Sequence, residues 1–241
     1  MKICVAQTKP IKGNIAANIV QHKKLIDLAT TLKAEIIIFP ELSLTGYEPK
    51  LAKDLASSPV DSRLDDFQNI SDAKQIVIGV GMPTKTSKGI CISMILFQPY
   101  QSRQKYSKRY LHPDEDPFFV RGKSVVNLKV NHTKISFAIC YELSVPEHVE
   151  NAFQRGSEVY IASVAKSASA VEKALKSLSS IAKKYSMTVV MSNNVGPCDN
   201  FESAGKSCAW SNKGELLGQL DEHSEGILVV DTSTQEVIIA L

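Results

Sequence analysis

Short apolar runs alternate with longer segments whose apolar positions recur every three or four residues, and this alternation organises the first third of the chain. Lys2–Gln7 (KICVAQ) predicts a buried strand. Asn14–Lys33 predicts a helix, because Ile15, Ile19, His22, Ile26 and Ala29 fall on one face. Glu35–Phe39 (EIIIF) predicts a second buried strand, and a polar stretch punctuated by Pro and Gly follows from Pro40 to Pro49. Val60–Ala73 carries helical spacing as well. From Gln75 the pattern changes to consecutive strands: Gln75–Gly81, Ile90–Phe97, a polar hairpin-like run near Ser102–Tyr106 and, after an irregular loop, Thr133–Ile139. Pro146–Gln154 reads as a helix with Pro in its first turn and Gly156 just past its end. Glu158–Ala162 is then a strand, and Ala170–Tyr185 a helix with Val171, Ala174, Leu178, Ile181 and Tyr185 on one face. Thr188–Ser192 is again a strand, and Ser207–Asp231 predicts two or three more.

Apolar strands alternating with helices imply sheets covered by helices, whereas the strand-rich middle and end argue against a purely parallel sheet. An α/β fold built as a four-layer α-β-β-α sandwich accommodates both. With no linker, low-complexity segment or repeat, residues 1–241 are expected to form a single domain.

Composition narrows the function classes. A chain of 241 residues, 44% hydrophobic and 22% charged, is ordinary globular material. Its net charge of +3, with no basic run interleaved with aromatics, argues against nucleic acid as a partner. No stretch reaches the roughly 20 apolar residues of a membrane span, and Met1–Gln7 has no cleavable hydrophobic core, so a cytoplasmic protein is expected. The five cysteines, Cys4, Cys91, Cys140, Cys198 and Cys208, are odd in number and form no Cys-x-x-Cys pair, which predicts reduced thiols.

Several motifs fail on their context. Gly79-x-Gly81 follows a strand as a dinucleotide fingerprint would, but Pro83 and Thr84 stand where a helix start and a third glycine are needed. No Gly-x-Ser-x-Gly elbow exists. His22, His112, His132, His148 and His223 show no metal-ligand spacing, so neither a metal nor another cofactor is indicated, and His22 reads as a packed helix histidine. Asn69-Ile70-Ser71 and Asn131-His132-Thr133 match a glycosylation sequon only incidentally.

Three segments each place a reactive side chain directly after an apolar strand, where α/β architectures usually put their chemistry. In Phe39-Pro40-Glu41 a carboxylate follows a buried strand next to proline, a rigid and partly dry position that raises a carboxyl pKa and suits general-base work. In Tyr106-Ser107-Lys108 a lysine opens a loop that continues through Asp114-Glu115-Asp116 to Gly122. In Ile139-Cys140-Tyr141-Glu142 a cysteine sits at a strand-to-helix turn, where free backbone N–H groups can bind an anion. Cys4 and Cys91, inside their strands, read as inert core thiols.

In this order the three segments resemble the signatures of the nitrilase superfamily of carbon–nitrogen hydrolases: Phe39-Pro40-Glu41 with Thr45-Gly46-Tyr47, Lys108 with Leu111, and Ile139-Cys140-Tyr141-Glu142 with Pro146-Glu147. The resemblance runs from the Val5-Ala6-Gln7 strand to Gly226–Asp231. It implies that Cys140 attacks the electrophilic carbon and forms a thioester, with Glu41 as general acid and base. Lys108 and the backbone N–H of Tyr141 would stabilise the oxyanion, and Glu115 would hold Lys108 in place. Small-molecule substrate and water are the partners implied, and a small non-peptide amide or carbamoyl compound the substrate. A nitrile, acyl transfer to an amine, or a catalytically silent binding role are alternatives on the same residues.

Two departures from the family pattern bear on specificity. The Lys108–Glu115 loop is compact, with Arg109-Tyr110-Leu111 in place of a histidine-leucine pairing. The strand end Ile161-Ala162-Ser163-Val164-Ala165-Lys166 lacks the usual asparagine- or tryptophan-containing run, so Ser163, Val164 and Lys166 are expected to form the pocket wall with Tyr47, Tyr141 and Glu142. The family's usual dimer would pair Pro146–Gln154 and Ala170–Tyr185 with their copies, through small residues and helix ends. Because the chain stops soon after Gly226–Asp231, extension of that dimer into a spiral is not expected.

Overall fold

The computed structural model describes residues 1–123, 125–126 and 128–241. In chain order the first half runs β1 (Lys2–Gln7), α1 (Ile15–Thr31), β2 (Ile36–Ile38), α2 (Ala52–Leu55), α3 (Asp65–Lys74), β3 (Val77–Thr86), β4 (Gly89–Phe97) and β5 (Gln104–Ser107). The second half runs β6 (Leu128–Val130), β7 (Thr133–Ile139), α4 (Pro146–Gln154), β8 (Val159–Val164), α5 (Ala168–Tyr185) and β9 (Thr188–Asn193). It closes with β10 (Val195–Cys198), β11 (Phe201–Ala204), β12 (Cys208–Trp210), β13 (Leu216–Gln219), β14 (Gly226–Asp231) and β15 (Val237–Ala240).

Two sheets result, ordered β15-β14-β1-β2-β3-β4-β5 and β13-β12-β9-β8-β7-β6, with β10-β11 as a separate hairpin. Each has a parallel centre, β1-β2-β3 in one and β7-β8-β9 in the other, flanked by antiparallel strands.

Strand alternation turns the two sheets into four layers. Ile3, Val5, Ile36 and Ile38 point inward and meet Ile135, Phe137, Ile139, Ile161 and Val190 of the other sheet. Their sequence neighbours Cys4, Ala6, Ile37 and Phe39 point outward under α1 and α3, against Ile26, Ala29 and Phe67. On the other side Ala138, Tyr160, Ala162, Val164 and Met191 lie under α4 and α5. Apolar residues on both faces are why these strands read as continuous hydrophobic runs rather than as alternating ones. The expected sandwich is the one observed.

Element by element, the differences have local causes. Val60 is exposed and the Val60–Ala73 segment begins as a 3-10 turn at Ser62–Leu64, the α-helix starting at Asp65. On α1 Asn18 is fully buried, whereas Ile19 is only partly covered. Its amide is satisfied by the backbone of Ile11 and by Leu44 O, so a polar residue fills a core site. His22 is packed as expected, stacked on Phe39 at 4.0 Å and bonded to Ser43. Ser207–Asp231 holds three strands, while β6, β10, β11 and β15, each three or four residues long, had no distinct pattern of their own. No described helix is long and apolar enough to cross a membrane.

Candidate functional site

The carboxyl ends of β2, β7, β8 and β9 gather at one end of the sandwich, where open parallel sheets present their loops. Beyond β2 the chain turns sharply over Pro40–Thr45. Phe39 N–H donates to Gly79 O and Leu44 N–H to Gly81 O, at 2.9 and 3.0 Å, tying the turn to β3. Gly81 is required there: a Cβ would stand 2.5 Å from Leu42 N. The opposite sheet adds two supports, Ser163 Oγ donating to Phe39 O (2.9 Å) and Asn194 Nδ2 to Glu41 O (3.1 Å). The Glu41 side chain therefore leaves a backbone held from both sheets.

Lys108 follows β5. Its N–H donates to Ile92 O and its carbonyl accepts from Gly122 N–H. The side chain is 0% exposed, and its ammonium donates to Glu41 Oε1 and Glu115 Oε1, each at 2.7 Å. Glu115 is held in turn by Tyr47 O–H on Oε1 (2.9 Å) and by His112 N–H on Oε2 (2.8 Å). A buried ammonium needs such compensation, since an unpaired charge in the interior costs several kcal/mol. Two of its three N–H donors are used in this way.

Cys140 follows β7 directly with φ of +45°, a left-handed conformation that costs a non-glycine residue about 1–2 kcal/mol. That kink opens the short 3-10 turn Cys140–Ser144; the residue is part-exposed, with Sγ 3.8 Å from Ala165 O. The other four thiols are buried, and burial pushes those of Cys198 and Cys208 up to about 12. The N–H of Tyr141 lies in the first turn of the 3-10 helix and so lacks an intrahelical acceptor.

The charges act on one another. Burial raises the Glu41 carboxyl to about 7 against the pull of Lys108, and Glu41 Oε2 has no hydrogen-bond partner among the described residues. Surrounding protein and the nearby Glu41 charge push the Cys140 thiol above its ordinary value. For Lys108, burial works against the charged form, but Glu41, Cys140 and Glu115 outweigh it and hold its pKa above that of free lysine.

A cavity of about 600 Å³ opens over these groups, lined among others by Tyr47, Glu115, Cys140, Tyr141, Ala165, Lys166 and Phe201. Tyr47, Tyr141 and Lys166 line this cavity. Three expected wall residues do not. Val164 points outward into the α4–α5 core because it is one residue out of phase with the inward face of β8. Ser163 has the inward phase but is buried, its hydroxyl committed to Phe39 O. Glu142 is 0% exposed and works as a strap. Its Oε1 accepts from Arg109 N–H (2.7 Å) and its Oε2 from Ile139 N–H (2.8 Å) and Tyr106 O–H (2.6 Å), joining the Lys108 loop to the Cys140 loop. The sequence reading missed the rim residues Asp199, Asn200 and Phe201. The Asp199-Asn200 turn of the unrecognised β10–β11 hairpin was the available signal. Among the described residues no group of three or more His, Cys, Asp or Glu side chains could hold a metal ion.

The Glu142 strap carries a testable load. Glu142→Ala strands three donors and is expected to lower unfolding free energy by about 2–4 kcal/mol, with Glu142→Gln in between. Urea denaturation checks this; a wild-type midpoint for Glu142→Ala would show that the strap holds nothing.

The carbon–nitrogen hydrolase family model matches residues 2–238. A glutamine-dependent NAD(+) synthetase from Aquifex aeolicus is 27% identical over 242 residues, which are 95% of this chain but 42% of that protein. The chain therefore spans less than half of that relative's length. A hydrolase in the agr operon of Staphylococcus aureus is 22% identical over 244 residues, 98% of this chain and 93% of that one. The fold is also that of an amidase from Nesterenkonia sp. AN1, with a TM-score of 0.87 at 23% identity over 96% of this chain and 90% of the other. In that structure, of a mutant of the amidase, the acetamide moiety of fluoroacetamide is added covalently at the active-site cysteine. With the family match running along almost the whole sequence, the chain belongs to the carbon–nitrogen hydrolase family of the nitrilase superfamily.

Proposed function

We propose that the protein hydrolyses the carbon–nitrogen bond of a small, non-peptide amide through a thioester on Cys140. The observation that carries this reading is the buried Glu41–Lys108–Glu115 ion cluster beside the part-exposed Cys140, with Glu41 Oε2 unpartnered among the described residues. Glu41 takes the thiol proton as Sγ attacks the carbonyl carbon. The negative charge that develops on oxygen is met by the third N–H of Lys108 and by the N–H of Tyr141. Collapse breaks the C–N bond, Glu41 returns the proton to the departing amine, and Cys140 keeps the acyl group. Water, deprotonated by Glu41, then attacks the thioester, releasing the acid and restoring the thiol. Glu115 and Tyr47 fix the Lys108 ammonium, and Tyr47 and Tyr141 form part of the substrate wall. No cofactor enters these steps.

One relative is named as glutamine-dependent and another as an (R)-stereoselective amidase, so glutamine and simple aliphatic amides head the substrate panel. With a substrate from that panel, mass spectrometry is expected to find wild-type protein acylated at Cys140, and Cys140→Ala to give no adduct and no turnover. Turnover by Cys140→Ala would refute the nucleophile assignment. Lys108→Ala is expected to lose about 3–4 kcal/mol of transition-state stabilisation, read in kcat with little change in KM.

The pH profile follows from Glu41, which must be ionised to accept the thiol proton. Below its raised pKa of about 7 it is protonated, so kcat/KM is expected to fall as pH drops through that value. An acid limb centred near 4 would remove Glu41 from the role of base.

The protein is further proposed to be a cytoplasmic homodimer joined through α4 and α5. Support comes from Phe153 on α4, which is 47% exposed, with its ring centroid 5.2 Å from that of Tyr185 on α5. This aromatic edge adds an apolar contact to the small residues and helix ends expected from sequence. Light scattering at micromolar concentration is expected to give twice the 26.4 kDa chain mass; a single chain mass would refute the dimer.

A further inference from the structure

Three lysines line the cavity, Lys50, Lys166 and Lys173, and the mechanism uses none of them. Lys166 lies two residues beyond β8, next to Ala165, whose carbonyl oxygen lies 3.8 Å from Cys140 Sγ. Its backbone is clamped on both sides: the N–H donates to Asn193 Oδ1 (2.9 Å), and the carbonyl accepts from Ala204 N–H (2.9 Å), Ser203 Oγ (3.2 Å) and Asn193 Nδ2 (3.3 Å). The side chain thus starts from a fixed point and lines the same cavity as Cys140.

The other charges at the cavity have partners or lie in solvent. Lys50 faces Asp199 at 3.5 Å, Glu115 is bound by Lys108 and Tyr47, and Asp114 and Lys173 are exposed at the rim. Lys166 is half-buried, and among the described residues its ammonium has no carboxylate within ion-pairing distance and no hydrogen-bond acceptor. Its charge reaches the reacting groups, favouring the ionised forms of both Glu41 and Cys140. A partly desolvated ammonium on a substrate wall is best satisfied by an anionic group of the ligand.

We infer that Lys166 is a specificity-determining residue that selects linear amides carrying a carboxylate at the end remote from the scissile bond. This rests on the amidase reading of Cys140. The carboxylate pairs with the Lys166 ammonium while the amide carbon lies over Sγ, so substrate charge sets the register in which the amide is presented.

Three amides of matched length test this on the full chain: glutaramate, pentanamide and 5-aminopentanamide, anionic, neutral and cationic at the remote end. For the wild type, kcat/KM is expected to favour glutaramate over pentanamide about tenfold or more, with 5-aminopentanamide poorest. Lys166→Met is expected to bring the glutaramate to pentanamide ratio to about one, chiefly through a higher KM for glutaramate. Lys166→Arg should keep the preference, and Lys166→Glu should turn it towards 5-aminopentanamide. Circular dichroism confirms that each variant is folded. Wild-type turnover without preference for glutaramate, or an equal loss on all three amides in Lys166→Met, would overturn the inference and leave the amidase reading standing. Absence of turnover together with absence of any Cys140 adduct would overturn that reading, and this inference with it.

Discussion

A lysine ammonium with no access to water sets the terms for everything around it. Lys108 is fully buried, and an unpaired charge there would be intolerable, so the chain brings two carboxylates to 2.7 Å from its Nζ. Those carboxylates come from different places: Glu41 from the turn after β2, Glu115 from a 3-10 turn seven residues beyond Lys108. Each is fixed independently. The Glu41 backbone is held by β3 and by Asn194 of the opposite sheet, and Glu115 by Tyr47 and the His112 amide. The ion cluster therefore ties the first sheet's loops to one another, and a side-chain hydroxyl and an amide reach across from the second sheet to hold the same corner.

The second sheet supplies Cys140, and Glu142 sets its position relative to the lysine. With one oxygen on the Arg109 amide and the other on the Ile139 amide, this carboxylate spans the residue after Lys108 and the residue before Cys140. Its other contact, Tyr106 O–H, also meets His148, which bonds Tyr160 in turn. Burial drives the His148 ring to a pKa of about 4, so it is a neutral member of this network near neutral pH. The chain thus has two buried acidic devices of different kind. Around Lys108 a charge is compensated, and around Glu142 backbone and hydroxyl donors are collected.

How much of this was legible in the sequence depends on the range of the physics involved. β1, β7 and α4 have the boundaries that periodicity gives, because each is long enough to show its pattern and has a clear punctuation such as Pro146 or Gly156. That Glu41, Lys108 and Cys140 come together could be expected, because they follow strands within recognisable motifs. The roles of Glu142, Ser163 and Val164 could not. A buried carboxylate collecting backbone N–H groups looks, in one dimension, the same as one facing a ligand. The phase of β8 likewise fixes whether Ser163 or Val164 faces the other sheet, and an apolar run buried on both faces conceals that phase. Asn18 shows the same limit, since its place in the core is justified only by partners at Ile11 and Leu44. The β10–β11 hairpin, with four residues to a strand, offers too little length for a pattern, yet it supplies one rim of the cavity.

The electrostatics also bear on the form in which the Cys140 thiol rests. Around Lys108 there is one permanent positive charge and two carboxyl groups, so ionising both already leaves the cluster with an excess of negative charge. A resting thiolate at Cys140 would add to that excess, and the thiol is accordingly raised by burial and by Glu41. The Glu41 carboxyl, raised to about 7, is by contrast a base of useful strength near neutral pH. On the proposed chemistry the proton then moves from sulfur to Glu41 only as sulfur bonds to carbon, and the displaced charge does not stay on sulfur but passes to the substrate oxygen. That oxygen can meet the one Lys108 donor not already held by a carboxylate. On that proposal, the two N–H donors spent on Glu41 and Glu115 aim the third, so the same pairing that makes the buried lysine tolerable would also orient it for the transition state.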